Sequence, residues 1–260
     1  MNKKIIMLVG DWNYPKMVYQ SLESEFNVDK IIVDNGISTS KLIKRRIKKL
    51  GFIRVLGQLL FRVVAVSYIN ATSKKRIQEI LIKNNIKEVD FDREKTVEIA
   101  SINSDEGRQL LKKLNPDIVV IVTTRILSKK TLECVNAKFI NIHAGITPLY
   151  RGLHGAYWAL INNDKDNCGV TVHLVDEGID TGNILYQENI TDSITHKDNF
   201  MTYTFLQLAK ALPLLKKSIR DIQLNSLKPK VNTKEQISND LYYHPTLWFY
   251  LYNRWVHGIK

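Results

Sequence analysis

The chain has 260 residues with 44% hydrophobic and 25% charged side chains, and its net charge is +12 at pH 7. These values are ordinary for a globular protein and exclude a disordered, collagen-like or disulfide-framed chain. The charge would suit nucleic acid, an anionic membrane or a phosphorylated small molecule as a partner. Cys134 and Cys168 match no zinc or redox spacing, so we expect a reduced, cytoplasmic protein.

Short apolar runs alternate with helical patterns in the first third of the chain. Residues 5–9 and 28–33 are predicted strands with an amphipathic helix between them, and the first run is too short for a secretory signal. Residues 73–84 are predicted to be helical, and residues 89–91 are predicted to form a further short strand.

A basic stretch and then an apolar stretch lie before that helix. Residues 41–49 hold six basic side chains, which predicts a solvated basic helix; the alternative is contact with anionic lipid or a phosphate-bearing substrate. Residues 52–69 are the longest apolar stretch, but Arg54, Gln58 and Arg62 recur at every fourth position. This spacing predicts an amphipathic helix and not a membrane span.

The centre of the chain reads as a parallel sheet with crossover helices. Residues 105–114 are predicted to be helical up to Asn115-Pro116, which stops a helix. The elements predicted after it are strands at 118–122, 138–142, 169–175 and 183–190, and helices at 153–162 and 198–222, the last kinked at Pro213. This alternation predicts an α/β fold, a Rossmann-like, mostly parallel sheet with flanking helices.

An aromatic segment ends the chain. Trp248, Tyr252 and Trp255 recur at helical spacing on one stripe. We expect this helix to pack on the body of the chain or on a second subunit; a nucleobase platform or a membrane anchor is the alternative. The predicted division is a Rossmann-like domain at 1–190, with a basic helical insertion at about 40–70, and a C-terminal helix and aromatic tail at 191–260.

Two loops after predicted strands carry the residue types that acyl transfer needs. Asn141 and His143 occupy positions i and i+2 of a strand end, so they point to the same face, and an acidic loop follows at 176–182. An amide can hold a developing oxyanion, an imidazole can act as a base, and a carboxylate can orient the imidazole. The alternative is that these two side chains bond backbone groups and that Asp176 and Asp180 cap turns.

No common nucleotide or hydrolase motif competes with this site. Residues 10–15 offer one glycine where a dinucleotide fingerprint needs three, and the chain has no Walker A sequence, no Gly-x-Ser-x-Gly elbow and no His-Glu-x-x-His.

Four segments together resemble the signature of the 10-formyltetrahydrofolate-dependent formyltransferases. They are Asn-Ile-His at 141–143, Pro-Leu-Tyr-Arg-Gly at 148–152, Gly-Val-Thr-Val-His at 169–173 and Asp-Glu-Gly-Ile-Asp-Thr-Gly at 176–182. The family includes glycinamide ribonucleotide, methionyl-tRNA and sugar N-formyltransferases. The resemblance covers about residues 116–190 and keeps the spacing between separate motifs.

The resemblance implies a role for each residue of the triad. Asn141 would donate to the formyl oxygen as it becomes an oxyanion, His143 would act as the base, and Asp180 would orient the histidine. No metal is implied. Folate would be bound by residues of two segments, which are Arg125, Ile126 and Leu127 in the first and Val175, Asp176, Gly178 and Ile179 in the second.

The acceptor is inferred from departures within the family. Residues 10–15 lack the Gly- and Ser-rich phosphate loop of glycinamide ribonucleotide enzymes, and too few residues follow the match for the C-terminal barrel of methionyl-tRNA enzymes. A nucleotide-linked amino sugar for surface polysaccharide therefore fits best. Its predicted contacts are Trp12, Tyr14, Asn103, Tyr150, Arg151, His154 and Tyr157.

Further partners follow from the same interpretation. We expect a cytoplasmic homodimer that binds folate and no nucleic acid, with peripheral membrane contact through residues 41–62. The alternatives are formylation of tRNA, of glycinamide ribonucleotide or of another amine, and a folate- or anion-binding protein without turnover.

Overall fold

A seven-stranded sheet forms the centre of the computed structural model, which describes residues 3–10, 13–36 and 39–260. In chain order the strands are β1 (Ile5–Gly10), β2 (Val28–Asp34), β3 (Thr96–Ile99), β4 (Ile118–Val122), β5 (Lys138–His143), β6 (Arg151–Gly152), β7 (Gly169–Leu174), β8 (Ile184–Asn189) and β9 (Leu241–Tyr242). The sheet order is β3-β2-β1-β4-β5-β7-β8, while β6 and β9 pair separately. The first five strands in this order are parallel and the last two antiparallel, which confirms the predicted mostly parallel α/β fold.

Helices flank the sheet on both faces. They are α1 (Asn13–Glu23), α2 (Thr39–Leu50), α3 (Phe52–Lys83), α4 (Asp105–Leu114), α5 (Lys129–Leu132), α6 (Gly155–Ile161), α7 (Phe200–Gln223) and α8 (Leu247–Val256). Local sequence explains their ends: the Asn199 side chain forms a capping box at the start of α7, and α4 ends at Asn115, which is left-handed (φ 43°) before Pro116.

The strand β1 shows how the two faces of the sheet are filled. Met7 and Val9 belong to the core formed with α1 and α7, whereas Ile6 and Leu8 face the core formed with α4. Successive residues of a strand point to opposite faces. All four side chains are buried because both faces are covered, which is why this strand reads as a continuous apolar run.

A second, aromatic core joins the later helices to α3. The ring of Phe200 lies 4.9 Å from that of Phe61 and 5.1 Å from that of Tyr157, both nearly edge to face. Tyr250 of α8 packs on the same cluster. This core fixes α3, α6, α7 and α8 to one another.

Three local predictions differ from the structure. The short strand predicted at 89–91 is wrong, since β3 lies at Thr96–Ile99. The two helices predicted at 52–69 and 73–84 are one helix, α3, with a π-helical turn at Phe61–Val66. Of the aromatic stripe predicted to pack on the chain or on a second subunit, Trp248 packs over Gly57, whereas Tyr252 and Trp255 are 57% and 80% accessible to solvent. The predicted division after residue 190 stays a prediction.

The helix α3 is also long and apolar enough to cross a membrane, judged by length and composition alone. One third of its most apolar window is buried inside the protein. Phe61, Ala65 and Ile69 are among the buried side chains, so α3 packs on the aromatic core along one side.

Candidate active site

The residues of the predicted triad meet at the carboxyl end of β5. Asn141 and His143 lie on this strand, and Asp180 lies in the loop between β7 and β8. His143 Nδ1 is 3.3 Å from Asp180 Oδ1. On the other side of the ring, His143 Nε2 lies 2.7 Å from the carbonyl oxygen of Tyr150. A carbonyl oxygen can only accept, so Nε2 carries a proton.

Asp180 is held as an anion. Its Oδ2 accepts a hydrogen bond of 2.9 Å from the backbone N–H of Gly152. Burial alone would raise the pKa of Asp180, but the charge and hydrogen bond of His143 and the N–H of Gly152 lower it to about 2. The backbone of Asp180 is left-handed (φ 54°), a conformation that aspartate tolerates better than most residues and that aims the carboxylate at the histidine.

His143 is stabilised in its protonated form. Burial alone would lower the pKa of His143, but the Asp180 carboxylate and the Tyr150 carbonyl raise it overall. Nε2 donates to the Tyr150 carbonyl and Nδ1 faces the Asp180 carboxylate. The form with a proton on each ring nitrogen is therefore the one that satisfies both contacts. The two residues therefore form an imidazolium–carboxylate pair, with His143 buried and Asp180 half-buried, that can stabilise negative charge.

A second histidine, His173, orients Asn141 and was given no role from the sequence. Its Nδ1 donates to the Leu174 carbonyl at 2.7 Å, which leaves Nε2 to accept from the Asn141 amide at 3.1 Å. The pKa of His173 is lowered, chiefly by burial, so this ring is neutral. The Asn141 amide nitrogen has two N–H groups, and the second can donate to a ligand oxygen.

Two glycines make this close packing feasible. A Cβ on Gly145 would lie 2.4 Å from the Tyr150 carbonyl oxygen and 2.7 Å from His143 Nε2, so a side chain there would break their contact. Gly152 has φ +98°, which suits glycine, and it turns its N–H toward Asp180. Gly152 is the last residue of the motif at 148–152, whereas Gly145 lies between the motifs at 141–143 and 148–152.

The two segments predicted to bind folate approach one another. Lys129, directly after the first segment, pairs with Glu177 of the second at 2.9 Å. Ile126 is 59% exposed, whereas Leu127 is buried in the core. In the second segment Asp176 Oδ1 accepts from the backbone N–H of Gly178 and from the Thr181 hydroxyl, and Val175 donates its N–H to Phe139.

Arg125 has a structural role in this region. Its guanidinium pairs with the buried carboxylate of Asp34 and donates to the carbonyls of Gly36 and Ala100 at 2.8 Å each. The side chain thus ties together the ends of β2, β3 and β4. Any contact of Arg125 with folate would therefore come from its backbone.

A cleft of about 830 Å³ opens at the carboxyl ends of β1, β2 and β4. This is the same sheet edge as the end of β5, because the five strands are parallel. Its lining includes Arg45, Arg46, Arg62 and Gln58, together with residues 123–126 of the first predicted folate segment. Both polar atoms of the Gln58 side chain are buried without a hydrogen-bond partner among the described residues. Such a group is costly unless a ligand satisfies it.

Most residues predicted to bind the acceptor lie elsewhere. Among the six of the seven that the structure describes, Asn103 alone lines the cleft, and its side chain also bonds Ile126, Ser128 and Thr131. Trp12 lies outside the described residues. Two of the others are packing residues, since Tyr14 packs on the main core and Tyr157 is buried in the aromatic core. The Tyr150 hydroxyl donates to Asp164, and the Arg151 guanidinium donates to the carbonyls of Ile179 and Ser238. The ring of His154 is hydrogen-bonded to that of His244.

These packed side chains are poor ligands. Burial and the neighbouring His244 lower the pKa of His154 well below its usual value, so it stays neutral between aromatic rings. Tyr157 is 1% exposed. We therefore do not retain either residue as an acceptor contact. Within residues 3–10, 13–36 and 39–260, no group of three or more His, Cys, Asp and Glu side chains is placed to hold a metal ion.

Comparisons with known proteins show the family of the chain. Residues 53–208 match the sequence model of a family described as formyl transferase. A methionyl-tRNA formyltransferase of Thermodesulfovibrio yellowstonii is 39% identical over 135 residues, which cover 52% of this chain and 43% of that protein. The chain spans about half the length, or less, of the curated relatives it matches first.

Solved structures share the fold. An N-formyltransferase from Helicobacter canadensis, in complex with folinic acid and dTDP-3-aminofucose, has a TM-score of 0.52 and 20% identity, covering 92% of this chain and 70% of that one. A phosphoribosylglycinamide formyltransferase from Anaplasma phagocytophilum has a TM-score of 0.56 and 16% identity, covering 91% of this chain and 98% of that one. At these identities the likeness shows the fold alone.

Proposed function

Since its match to the family model covers more than half of its length, the chain belongs to the formyl transferase family, and we propose that it transfers a formyl group from 10-formyltetrahydrofolate to a primary amine. The observation that carries this proposal is the pair of buried His143 and half-buried Asp180 beside Asn141 at the end of β5. An amide donor, an imidazolium and a carboxylate at one strand end match what acyl transfer to an amine requires.

Asn141 and His143 stabilise the charge that develops on the formyl oxygen. The free N–H of the Asn141 amide donates to this oxygen when the amine nitrogen adds to the formyl carbon, and the imidazolium of His143 supplies positive charge nearby. Because both groups are held before reaction by His173 and Asp180, little reorganisation is needed. One such donor contributes roughly 10²- to 10³-fold in rate.

Asp180, held in place by His143, carries the proton that moves in the reaction. The amine forms a bond to the formyl carbon and loses one proton, while the carbon's bond to the folate nitrogen breaks and that nitrogen gains one proton. The Asp180 carboxylate accepts the proton of the amine and returns it to the leaving nitrogen, while His143 keeps both of its ring protons and stays positively charged. Proton transfer of this kind contributes roughly 10²- to 10⁴-fold in rate.

The cosubstrate would lie between the two predicted folate segments. Folate supplies the formyl carbon, and the residues proposed to hold it are those of 125–127 and 175–179. The Lys129–Glu177 pair brings these segments together, and the exposed Ile126 offers an apolar contact for a flat ring. This arrangement supports the proposal that folate binds between the two segments.

For the acceptor we propose a nucleotide-linked amino sugar of surface polysaccharide synthesis, used in the cytoplasm. The supporting observation is the arginine-lined cleft on the sheet edge that also carries the triad. Arg46 and Arg62 suit the diphosphate of such a molecule, because guanidinium groups bind phosphate oxygens in pairs. Gln58 would gain its missing hydrogen bonds from the sugar or the base. The homodimer stays a prediction.

Methionyl-tRNA is the second candidate acceptor, and a specific observation favours it. The curated relatives that match this chain at 31 to 41% identity are methionyl-tRNA formyltransferases. The six basic side chains of α2 would suit a phosphate backbone. Binding to tRNA would then weaken steeply as the salt concentration rises.

A direct screen separates the two acceptors. The protein is incubated with 10-formyltetrahydrofolate and a panel of nucleotide-linked amino sugars, or with methionyl-tRNA, and each acceptor is checked by mass spectrometry for the gain of one formyl group. We expect the gain on an amino sugar. A gain on methionyl-tRNA alone would assign the second acceptor, and no gain on any amine would contradict the proposed transfer.

The cleft is tested with matched variants on one helix. Arg46→Ala should raise KM for the nucleotide sugar about tenfold or more while kcat changes little, because the lost contact is to a phosphate far from the reacting carbon. Lys44→Ala is the control, since Lys44 carries a charge on the same helix but does not line the cleft. Equal KM values for the two variants would remove the cleft from the acceptor site.

A further inference from the structure

The first half of α3 presents apolar side chains to solvent. We call this set the apolar face; its members are Phe52, Ile53, Leu56, Leu60, Val63, Val64 and Tyr68. Ile53 is 74% exposed and Val63 is 71% exposed. The side of α3 opposite to it is the one that packs inward, through Val55, Phe61 and Ala65.

The C-terminal helix extends this surface. Trp248 of α8 packs directly over Gly57, where an added Cβ would lie 2.2 Å from the indole ring. A groove of about 700 Å³ lies between the start of α3 and the start of α8, and Phe52, Ile53 and Trp248 are among its lining residues. Tyr252 and Trp255 continue along α8 and are 57% and 80% exposed. Large exposed apolar surfaces of this kind mark interaction sites.

Positive charge surrounds the apolar face. Residues 35–78 contain eleven Lys and Arg residues and no Asp or Glu, so this segment accounts for most of the net charge of +12. Lys41, Lys44, Lys48 and Lys49 are exposed on the adjoining helix α2. Within the described part of the chain, none of the basic side chains of α2 forms an ion pair with a carboxylate.

We propose that the apolar face, together with α8 and the lysines of α2, docks on the surface of an anionic lipid bilayer. Apolar side chains enter the boundary between headgroups and acyl chains, and Trp and Tyr favour this depth. The lysines meet anionic headgroups, each contributing attraction that salt screens. The buried side of α3 stays on the aromatic core, so the helix lies on the membrane and does not span it.

Charge complementarity favours lipid over a second copy of the chain. A two-fold symmetric interface places the same patch on both subunits. The basic rim of one copy would then face the basic rim of the other, and like charges at an interface are unfavourable. Anionic headgroups supply the opposite charge over the whole rim.

Vesicle binding of the full chain tests this proposal without any substrate. The protein should sediment with vesicles of phosphatidylcholine and phosphatidylglycerol at low salt and be released from them at high salt. Much less protein should sediment with pure phosphatidylcholine vesicles. Val63→Glu should weaken binding about tenfold or more, because one apolar contact is lost and a repelled charge is gained. Ile82→Glu is the matched control, since Ile82 is 77% exposed on the same helix but outside the apolar face.

Folding and self-association are checked in parallel. Trp255→Ser changes a side chain that is 80% exposed and should leave the melting temperature unchanged, yet it should also weaken vesicle binding. The proposal is overturned if the protein does not bind anionic vesicles at low salt. It is equally overturned if Val63→Glu and Trp255→Ser both bind as tightly as the wild type. It is also overturned if the chain sediments as a dimer that Val63→Glu converts to a monomer, which would make this face a subunit interface. Formyl transfer to a soluble acceptor is measured separately and does not depend on the outcome.

Discussion

The polar cluster at the end of β5 and the helical region formed by α2 and α3 use charge in opposite ways. At the strand end, His143 is buried and Asp180 is half-buried, and each has defined partners. In the helical region the lysines of α2 are exposed without an acidic partner among the described residues. Paired and buried charges fix atoms in place, whereas exposed charges of one sign attract a partner of the opposite sign.

This contrast predicts which property each region controls. Changes at the strand end should lower the rate of formyl transfer and leave the fold intact, because the sheet carries the strand independently of these side chains. Changes in the helical region should alter binding, or stability where a side chain faces the aromatic core. The following variants test this separation.

The first of these variants is Asn141→Ala, for which we expect a large loss of rate. Loss of the proposed oxyanion donor should lower kcat about 10²- to 10³-fold, since nothing else at this position can donate to the formyl oxygen. Steady-state kinetics measures the effect, and thermal melting should stay near wild type. Asn84→Ala, at the end of α3, is the control and should keep its activity. A change of kcat within about threefold would argue against the role of Asn141.

A smaller effect, on stability, is expected where α3 joins α7. Arg76 forms a fork of two 2.9 Å hydrogen bonds to Asp198, whose side chain is fully buried. Asp198→Ala leaves the guanidinium with only its longer contact of 3.5 Å to Glu79, and it should lower the free energy of unfolding by about 2 kcal/mol, at unchanged kcat. Urea denaturation measures this. Asp90→Ala, in an exposed pair with Lys16, should stay close to wild type.

The most subtle effect is a pKa change at the strand end. Asp180→Asn removes the charge that raises the pKa of His143 while the burial that lowers it stays, so the pKa of His143 should fall in the variant. NMR titration of the ring protons measures it. An unchanged or higher pKa would show that the two residues do not interact as an ion pair.

The same pair makes stability depend on pH at the acid end. The pKa of Asp180 is lowered to about 2 in the folded protein, from an ordinary value near 4. Its contribution is therefore present above about pH 4 and is lost as the pH falls toward 2. The raised pKa of His143 acts in the other direction: its contribution is present below the unfolded pKa of about 6.5 and is lost as the pH rises through the folded value.

Much of the sheet could be predicted because buried parallel strands leave a clear pattern. Ile118–Val122 is entirely apolar and β-branched, and it is the strand β4 that lies in the middle of the sheet. The edge strand β3 was missed because Thr96–Ile99 mixes polar and apolar residues and is only four residues long. Two helices were predicted where one exists because the apolar stretch ends at residue 69, although α3 continues through the Asn-Ala-Thr sequence at 70–72.

Side-chain surroundings were harder to predict than strand ends. The spacing of Asn141 and His143 predicted that both lie at one strand end, and the structure places them there. The contact of His173 with Asn141 depends on the antiparallel pairing of β5 and β7, which no local pattern reveals. Periodicity likewise placed Trp255 on one stripe of α8, but it could not show which side of the helix faces the core. The structure shows that Tyr250 faces the core.

Formyl transfer by the wild-type chain and by His143→Ala tests the central claim most directly. With 10-formyltetrahydrofolate and the acceptor found by the screen, we expect the wild type to add one formyl group and the variant to be slowed about 10²- to 10⁴-fold. The variant should keep the fold, although its melting temperature should fall because Asp180 loses its charged partner. Equal rates for the two proteins would contradict the assignment of the strand-end cluster as the catalytic site.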